Sequence, residues 1–470
     1  MLGFYVTELD KIKNQKRAMI HKLERSTKKE NENMKKIKKL IVMVLCLCTV
    51  ISMCACSGEK NSTNENGSSQ DDKSKSTSDE VKTIKIFQFK VDTINQMQDL
   101  ADRFCEQYDG NVKIEVETVG GSGDYVTTLK TKFASEEVPD MFCATKYCDL
   151  EIFEEYIIDL ASEPWIENCI DGTLTDITKD GKIYGQPMVI EPYGFIYNKD
   201  LFEQAGIQSS PTTYSELEET CKKLMDAGIM PFVNGYKEGW VLGQHFLNGA
   251  LLSKVDMDGI EFANRVGISE TFADQKASKE MAKLLKLTVD YGLPNSIAED
   301  YNTSIADFAA GRAAIISQGV WIQPSLDQLN PDMNLGMFGY LTNNKDDVDV
   351  LPTGVSGYWV VNKDSKYIKE IKDFLTYMAT NEEAVKSLVE NFKFMPPFKG
   401  VEYDVAELGN ISVAADEYIK AGKTTQYYWT RLPEGFIAEY TPSLQAFCAD
   451  QITEDELINK LDESTKSIRK

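Results

Sequence analysis

From Val81 onward, hydrophobic and polar positions switch between two periods. The stretch VKTIKIFQF is rich in β-formers and predicts a strand. Residues 92–108 then carry Ile94, Met97, Ala101, Phe104, Cys105 and Tyr108 at helical spacing. NVKIEVETV alternates strictly, with Val112, Ile114 and Val116 on one face and Lys113, Glu115 and Glu117 on the other. Strand, helix and strand in so short a length form a βαβ unit, which predicts parallel pairing. A second helix with Tyr125, Leu129 and Phe133 one turn apart follows, and PDMFCA reads as the next strand. PTTYSELEETCKKLMDAGI predicts a helix with Thr213 as N-cap, Glu216 completing a capping box and Gly228 as the stop. Ile371, Phe374, Leu375 and Met378 make one apolar stripe; Val385, Leu388, Val389 and Phe392 make another. Both are read as core. The pattern is α/β throughout, with no internal repeat.

Ahead of Val81 the pattern changes. MKKIKKL, from Met34, is a compact positive segment, and the apolar run LIVMVLCLCTVISM from Leu40 to Met53 is too short to span a bilayer comfortably. Residues 34–55 are expected to be an export signal, and residues 1–33 a mis-called extension ahead of a true start at Met34. Met53-Cys54-Ala55-Cys56 resembles a bacterial lipoprotein box, with small Ala55 ahead of the modified Cys56. Lipid (palmitate among its chains) on Cys56 implies a membrane anchor on the extracytoplasmic face. Residues 56–80, polar after that cysteine, are expected to be a flexible tether.

The formal charge of -23 argues against nucleic acid as a partner. Of ten cysteines, Cys46, Cys48 and Cys54 would leave with the signal. Cys105, Cys143, Cys148, Cys169, Cys221 and Cys448 fit no zinc spacing and read as buried free thiols, although an exported protein could pair them. Of the two histidines, His21 lies in the segment expected to be absent from the mature chain, which leaves His245 and excludes His-pair zinc sites and HExxH chemistry. No GxSxG elbow, GxxxxGK[ST] phosphate loop, GxGxxG or EF-hand loop is present. No metal, cofactor or catalytic residue is therefore assigned, and a non-enzymatic protein is expected. A glycosidase using two carboxylates remains as an alternative.

The segment Gly181–Ile207, GKIYGQPMVIEPYGFIYNKDLFEQAGI, resembles the signature of bacterial extracellular solute-binding proteins, family 1, the carbohydrate-importer receptors that include maltose-binding protein. Gly194, Phe195, Ile196, Tyr197, Asn198 and Phe202 match it, and Gln204 departs from it. FASEEVPDMF, PTTYSELEETCKKLMDAGIMPF and ADFAAGRAAIISQGVW resemble three further family segments in the family's order. The resemblance covers the body from Val81, more weakly beyond about Phe398.

It implies a two-lobed periplasmic-binding-protein-like fold with a hinge and an interlobe ligand cleft. Lobe 1 would be 81–190 plus 358–395, and lobe 2 would be 191–357 plus 396–470. The chain would cross near Glu191–Gly194, Gly354–Tyr358 and Met395–Phe398, where Gly354, Gly357 and Pro396-Pro397 suit junctions. It implies a monomer that captures a sugar and hands it to the permease of an ABC importer. A polyamine, phosphate ester or iron chelate is the alternative ligand. Sugar rings need flat apolar faces and hydroxyls need polar groups. The resemblance places Trp321, Glu191, Trp240, Lys146, Tyr147, Ser356, Tyr358 and Trp359 at the ligand; Trp165, in DLASEPW, is read as structural. The cluster Tyr427, Tyr428, Trp429 and Arg431 could frame a sugar, meet a partner or pack between helices.

Overall fold

The computed structural model describes residues 14–19 and 81–469, apart from 109, 121–124, 295–296 and 346–347. Residues 14–19 are helical. The expected signal at 34–55, Cys56 and the tether to residue 80 lie outside the described residues. Val81–Lys470 form a compact unit of their own. Its described strands are β1 (Lys82–Gln88), β2 (Val112–Thr118), β3 (Met141–Ala144), β4 (Thr178–Lys179), β5 (Lys182–Ile183), β6 (Gln186–Pro187), β7 (Ile190–Asn198), β8 (Phe232–Val233), β9 (Ile315–Gly319), β10 (Leu335–Phe338), β11 (Leu351–Val355), β12 (Tyr358–Val361) and β13 (Thr424–Thr425).

The period-2 segments become the first sheet, ordered β2-β1-β3-β12-β6. β1 pairs parallel with both β2 and β3, as the βαβ spacing predicts, because a helix (Ile94–Cys105) carries the chain back between β1 and β2. That helix buries Met97, Leu100, Ala101 and Phe104 against the sheet. The second sheet runs β13-β11-β7-β9-β8. Its long strand β7 takes β9 on one edge, and on the other takes β11 along its first residues and β10 along its last. The family-signature stretch is therefore the central strand of the second lobe, and Phe195 and Ile196 are wholly buried there.

The chain crosses between the sheets at 188–189, at 356–357 and beyond Lys399. Met395 touches the first crossing, its carbonyl accepting from the Ile190 amide. The Pro397 carbonyl, however, accepts from the Ile170 amide, Phe398 bridges Cys169 and the Lys399 amide donates to the Asn168 carbonyl, so the first lobe holds the chain past the expected crossing at Met395–Phe398. The first crossing comes a few residues earlier than Glu191–Gly194. Ile190 and Glu191 already have ladder partners, Val355 and Gly354, so the second sheet claims them. Gly357 is demanded by the second crossing: a Cβ there would sit 2.9 Å from the Phe89 ring and 3.0 Å from the Met188 sulfur.

The helix Tyr214–Asp226 starts as expected, with Thr213 Oγ1 accepting from the Glu216 amide. The return bond differs: the Glu216 carboxylate accepts from the Thr212 amide at 2.8 Å rather than from Thr213. Gly228 closes the helix in the left-handed region at φ +76°. Cys105, Cys143, Cys169, Cys221 and Cys448 are free thiols, and all but half-exposed Cys105 are buried. The side chain of Cys148 lies outside the description. No helix among the described residues is long and apolar enough to cross a membrane.

Candidate ligand-binding cleft

In sheets with parallel strands, ligands collect beyond the carboxyl ends of the strands. Here β1 ends at Gln88 and delivers Phe89–Asp92, while β3 ends at Ala144 and delivers Lys146 and Tyr147. In the second sheet the parallel pair β8 and β9 ends toward Trp240 and Trp321. These segments face one another across the crossings.

Lys90 and Glu191 form a buried ion pair, Nζ to Oε2 at 2.5 Å, between the loop after β1 and the start of β7. The other Glu191 oxygen, Oε1, is buried with no hydrogen-bond partner. Asp92 bridges the lobes: it accepts from the Tyr301 hydroxyl at 2.7 Å and from the Ser325 hydroxyl at 2.5 Å. Burial pushes the Asp92 carboxyl above its ordinary range, and those two hydroxyls pull it partly back.

Above the pair runs a row of aromatic rings. Tyr301 meets Trp240 at 5.6 Å between ring centroids, Trp240 meets Trp321 at 6.3 Å, Trp321 meets Tyr193 at 6.2 Å, and Tyr193 meets Tyr427 at 5.3 Å. His245 is wedged among them, stacked on Tyr193 at 4.2 Å and 4.9 Å from Trp321. A π-helical stretch, Val241–Phe246, carries it there. Burial holds the imidazole neutral, pushed down to about 3, with the Lys90 charge adding to the effect. The Trp321 indole donates to Gln318 Oε1 at 3.0 Å and lies flat over Gly319. A Cβ on Gly319 would reach within 2.1 Å of the indole, so only glycine leaves room for it. In this row Trp240 and Trp321 are half-buried, whereas Tyr193, His245, Tyr301 and Tyr427 are buried. The two indoles are thus the open apolar faces of the row, beside carboxylates and an ammonium.

Of the residues expected at the ligand, the structure brings together Trp321, Trp240 and Glu191. Lys146 and Tyr147 face the second lobe elsewhere: Lys146 pairs with Glu434, and the Arg431 guanidinium covers the Tyr147 ring at 3.9 Å. Ser356 sits on the second crossing with its Oγ buried and without a partner. Tyr358 and Trp359 belong to the core of the first lobe, which β12 reaches by pairing with β3. Trp359 is there a packing residue rather than an open wall. Trp165 is fully buried in the same core. The ambiguous aromatic cluster splits. Tyr427 packs on Gly354 and donates its hydroxyl to the Glu191 carbonyl, while Arg431 reaches into the first lobe.

Sequence reasoning passed over Lys90, Asp92, Tyr193, His245 and Tyr301. The position of Lys90 and Asp92 just past the carboxyl end of a parallel strand was an available signal. For His245 and Tyr301 there was none.

The family model of bacterial extracellular solute-binding proteins matches residues 90–385. The multiple sugar-binding protein of Streptococcus mutans is 25% identical over 327 residues, 65% of this chain and 73% of the relative. The melibiose/raffinose/stachyose-binding protein MelE of Bacillus subtilis is 23% identical over 358 residues, 74% and 80% of the two chains. Among solved structures, the solute-binding protein RafE in complex with raffinose superposes with a TM-score of 0.72 at 18% identity, covering 83% of this chain and all of that one. With the family model spanning more than half its length and two lobes meeting over a cleft, this chain belongs to the bacterial extracellular solute-binding proteins.

Proposed function

We propose that this protein is the extracytoplasmic receptor of an ABC importer, capturing a sugar between its lobes and delivering it to the permease, without catalysis of its own. The observation that carries the reading is the pair of half-buried indoles, Trp240 and Trp321, beside Glu191 and Asp92. Indole faces stack on the C–H faces of a sugar, and carboxylate oxygens accept from its hydroxyls. Glu191 Oε1, buried and without a partner, is the acceptor best placed to take one. The names of the relatives from Streptococcus mutans and Bacillus subtilis point the same way. A two-lobe division goes with this reading, its boundaries moved from 190/191 to the crossing at 188–189 and from 395/396 to beyond Lys399, with the three crossings acting as the hinge. Ligand contacts from both lobes would favour the closed arrangement.

A thermal-shift screen of saccharides tests it, since a ligand at 100 times its dissociation constant adds about 2.7 kcal/mol to stability. Saccharides should raise the melting temperature, and polyamines should not. The reverse result transfers the cleft to a cationic solute, and release of product from a glycoside makes the protein an enzyme. Within the same assay, Trp321→Ala should weaken saccharide binding by roughly tenfold to a hundredfold, the burial of one side chain against a sugar face being worth on the order of 1–3 kcal/mol. A half-buried ring contributes little to the core, so the melting temperature without sugar should fall only slightly. A large fall with unchanged affinity would make Trp321 a core residue instead.

The reading also takes Cys56 as the lipidated N-terminus of the mature chain, held to the membrane by more than one acyl chain. Cys56→Ser should release the protein or leave it unprocessed in fractionated cells. A variant still processed and membrane-held removes Cys56 as the anchor.

A further inference from the structure

The row of aromatic rings has two ends, and at each the lobes touch. At the Tyr301 end, Asp92 takes the hydroxyls of Tyr301 and Ser325. At the Tyr427 end, one short segment of the second lobe grips three separate elements of the first. Arg431 pairs with Asp176 at 2.7 Å and covers the Tyr147 ring at 3.9 Å. Three residues on, Glu434 pairs with Lys146 and, at 3.0 Å, with Lys130 on the helix Tyr125–Ala134.

A sugar ring lying between two surfaces needs roughly 7–8 Å, twice the optimal carbon–carbon contact. The contacts made by Arg431 and Glu434 leave no such gap. Between the two ends, Trp240 and Trp321 are the rings with open faces, the others in the row being buried. With one sugar ring stacked on each indole, the row offers places for two rings.

We infer that Arg431 and Glu434 close one end of the cleft and restrict its ligand to a saccharide of one or two rings. This rests on the sugar-receptor reading above. It makes Lys146 and Tyr147, at the carboxyl end of β3, supports for that closure rather than ligand contacts. The two residues act on chain length, not on recognition of a particular hydroxyl: they occupy the space that a third ring would enter.

Titration calorimetry on the full chain tests this with glucose, maltose, maltotriose and maltotetraose, and with melibiose, raffinose and stachyose. Affinity should be greatest for one or two rings and at least tenfold lower for three. In Arg431→Ala the ratio of trisaccharide to disaccharide affinity should rise at least tenfold. Glu434→Ala, which removes volume at the same end from a side chain more exposed than that of Arg431, should move the same ratio in the same direction and serves if Arg431→Ala does not fold. Three- and four-ring sugars bound by the native chain as tightly as two-ring ones would overturn the inference and leave the sugar reading standing. So would a folded Arg431→Ala or Glu434→Ala with an unchanged length profile. Failure of every saccharide, short and long, would remove the sugar reading and this inference together.

Discussion

Replacing Lys90 with methionine should lower stability by about 3–5 kcal/mol, the cost of leaving a buried charge without its partner. Glu191 has almost no exposed surface, its Oε2 lies 2.5 Å from the Lys90 ammonium, and its Oε1 has no other partner. Methionine keeps most of the volume of the stem, while the approach of the ammonium to the Phe89 and Phe394 rings, 5.2 and 5.8 Å from their centroids, goes with the charge. What is lost is the positive charge. A buried pair is weak evidence of net stabilisation, because both ions were desolvated to form it. The decisive comparison is therefore the double variant Lys90→Met with Glu191→Gln, which removes both charges and should recover most of the loss. Urea unfolding of the wild type, both single variants and the double variant gives the cycle. A single variant within about 1 kcal/mol of wild type, or a double variant no better than the worse single, would show that the pair is not held in the arrangement described. The pair also joins the first lobe to the strand that leaves the first crossing. The single variant should for that reason open the lobes as well as destabilise them, and sugar affinity should fall with it.

The fold was legible in the sequence wherever its cause was local. Val112, Ile114 and Val116 alternate because one face of β2 packs on a helix, and the burial of Val112 and Ile114 follows directly. Thr213 caps a helix through a bond three residues long, so its signal is written in four positions. The indoles were found because family segments carry Trp321 and Trp240 in recognisable surroundings. What stayed hidden is long-range. Lys90 meets Glu191 across 101 residues, Asp92 meets Tyr301 across 209, and Lys146 meets Glu434 across 288. No periodicity records such partners, because they are chosen by the way the lobes fold onto one another. Tyr358 and Trp359 illustrate the converse. They stand beside a crossing in sequence, but β12 continues the first sheet, and its pairing with β3 carries both rings into the core.

His245 should make the protein acid-sensitive in a window where most carboxylates are silent. Its imidazole is buried between Tyr193 and Trp321, and burial, with help from Lys90, takes it from 6.5 down to about 3. Above pH 6.5 the ring is neutral whether the chain is folded or not, and the histidine makes no difference. Below that, the unfolded chain takes up a proton that the folded one refuses, so stability falls as the pH drops from 6.5 toward 3, by about 1.4 kcal/mol per pH unit. Between pH 6.5 and 5 the loss should reach about 2 kcal/mol. The carboxylates of Glu216 and Glu434, held below their ordinary 4.5 by hydrogen bonds and lysine charges that outweigh their desolvation, begin to cost stability only at lower pH. Glu299 works in the opposite direction: burial raises it to about 8, so its contribution is gained as the pH falls from 8 toward 4.5. The wild-type curve sums the two, and the clean readout is the difference between wild type and His245→Gln. That difference should narrow by about 2 kcal/mol, in favour of the variant, as the pH is lowered from 6.5 to 5. Glutamine loses the ring stack, which shifts the variant's stability by a constant amount and leaves the slope untouched. Parallel curves for the two proteins would mean that His245 titrates alike in the folded and unfolded states, and that water reaches the imidazole behind Trp321.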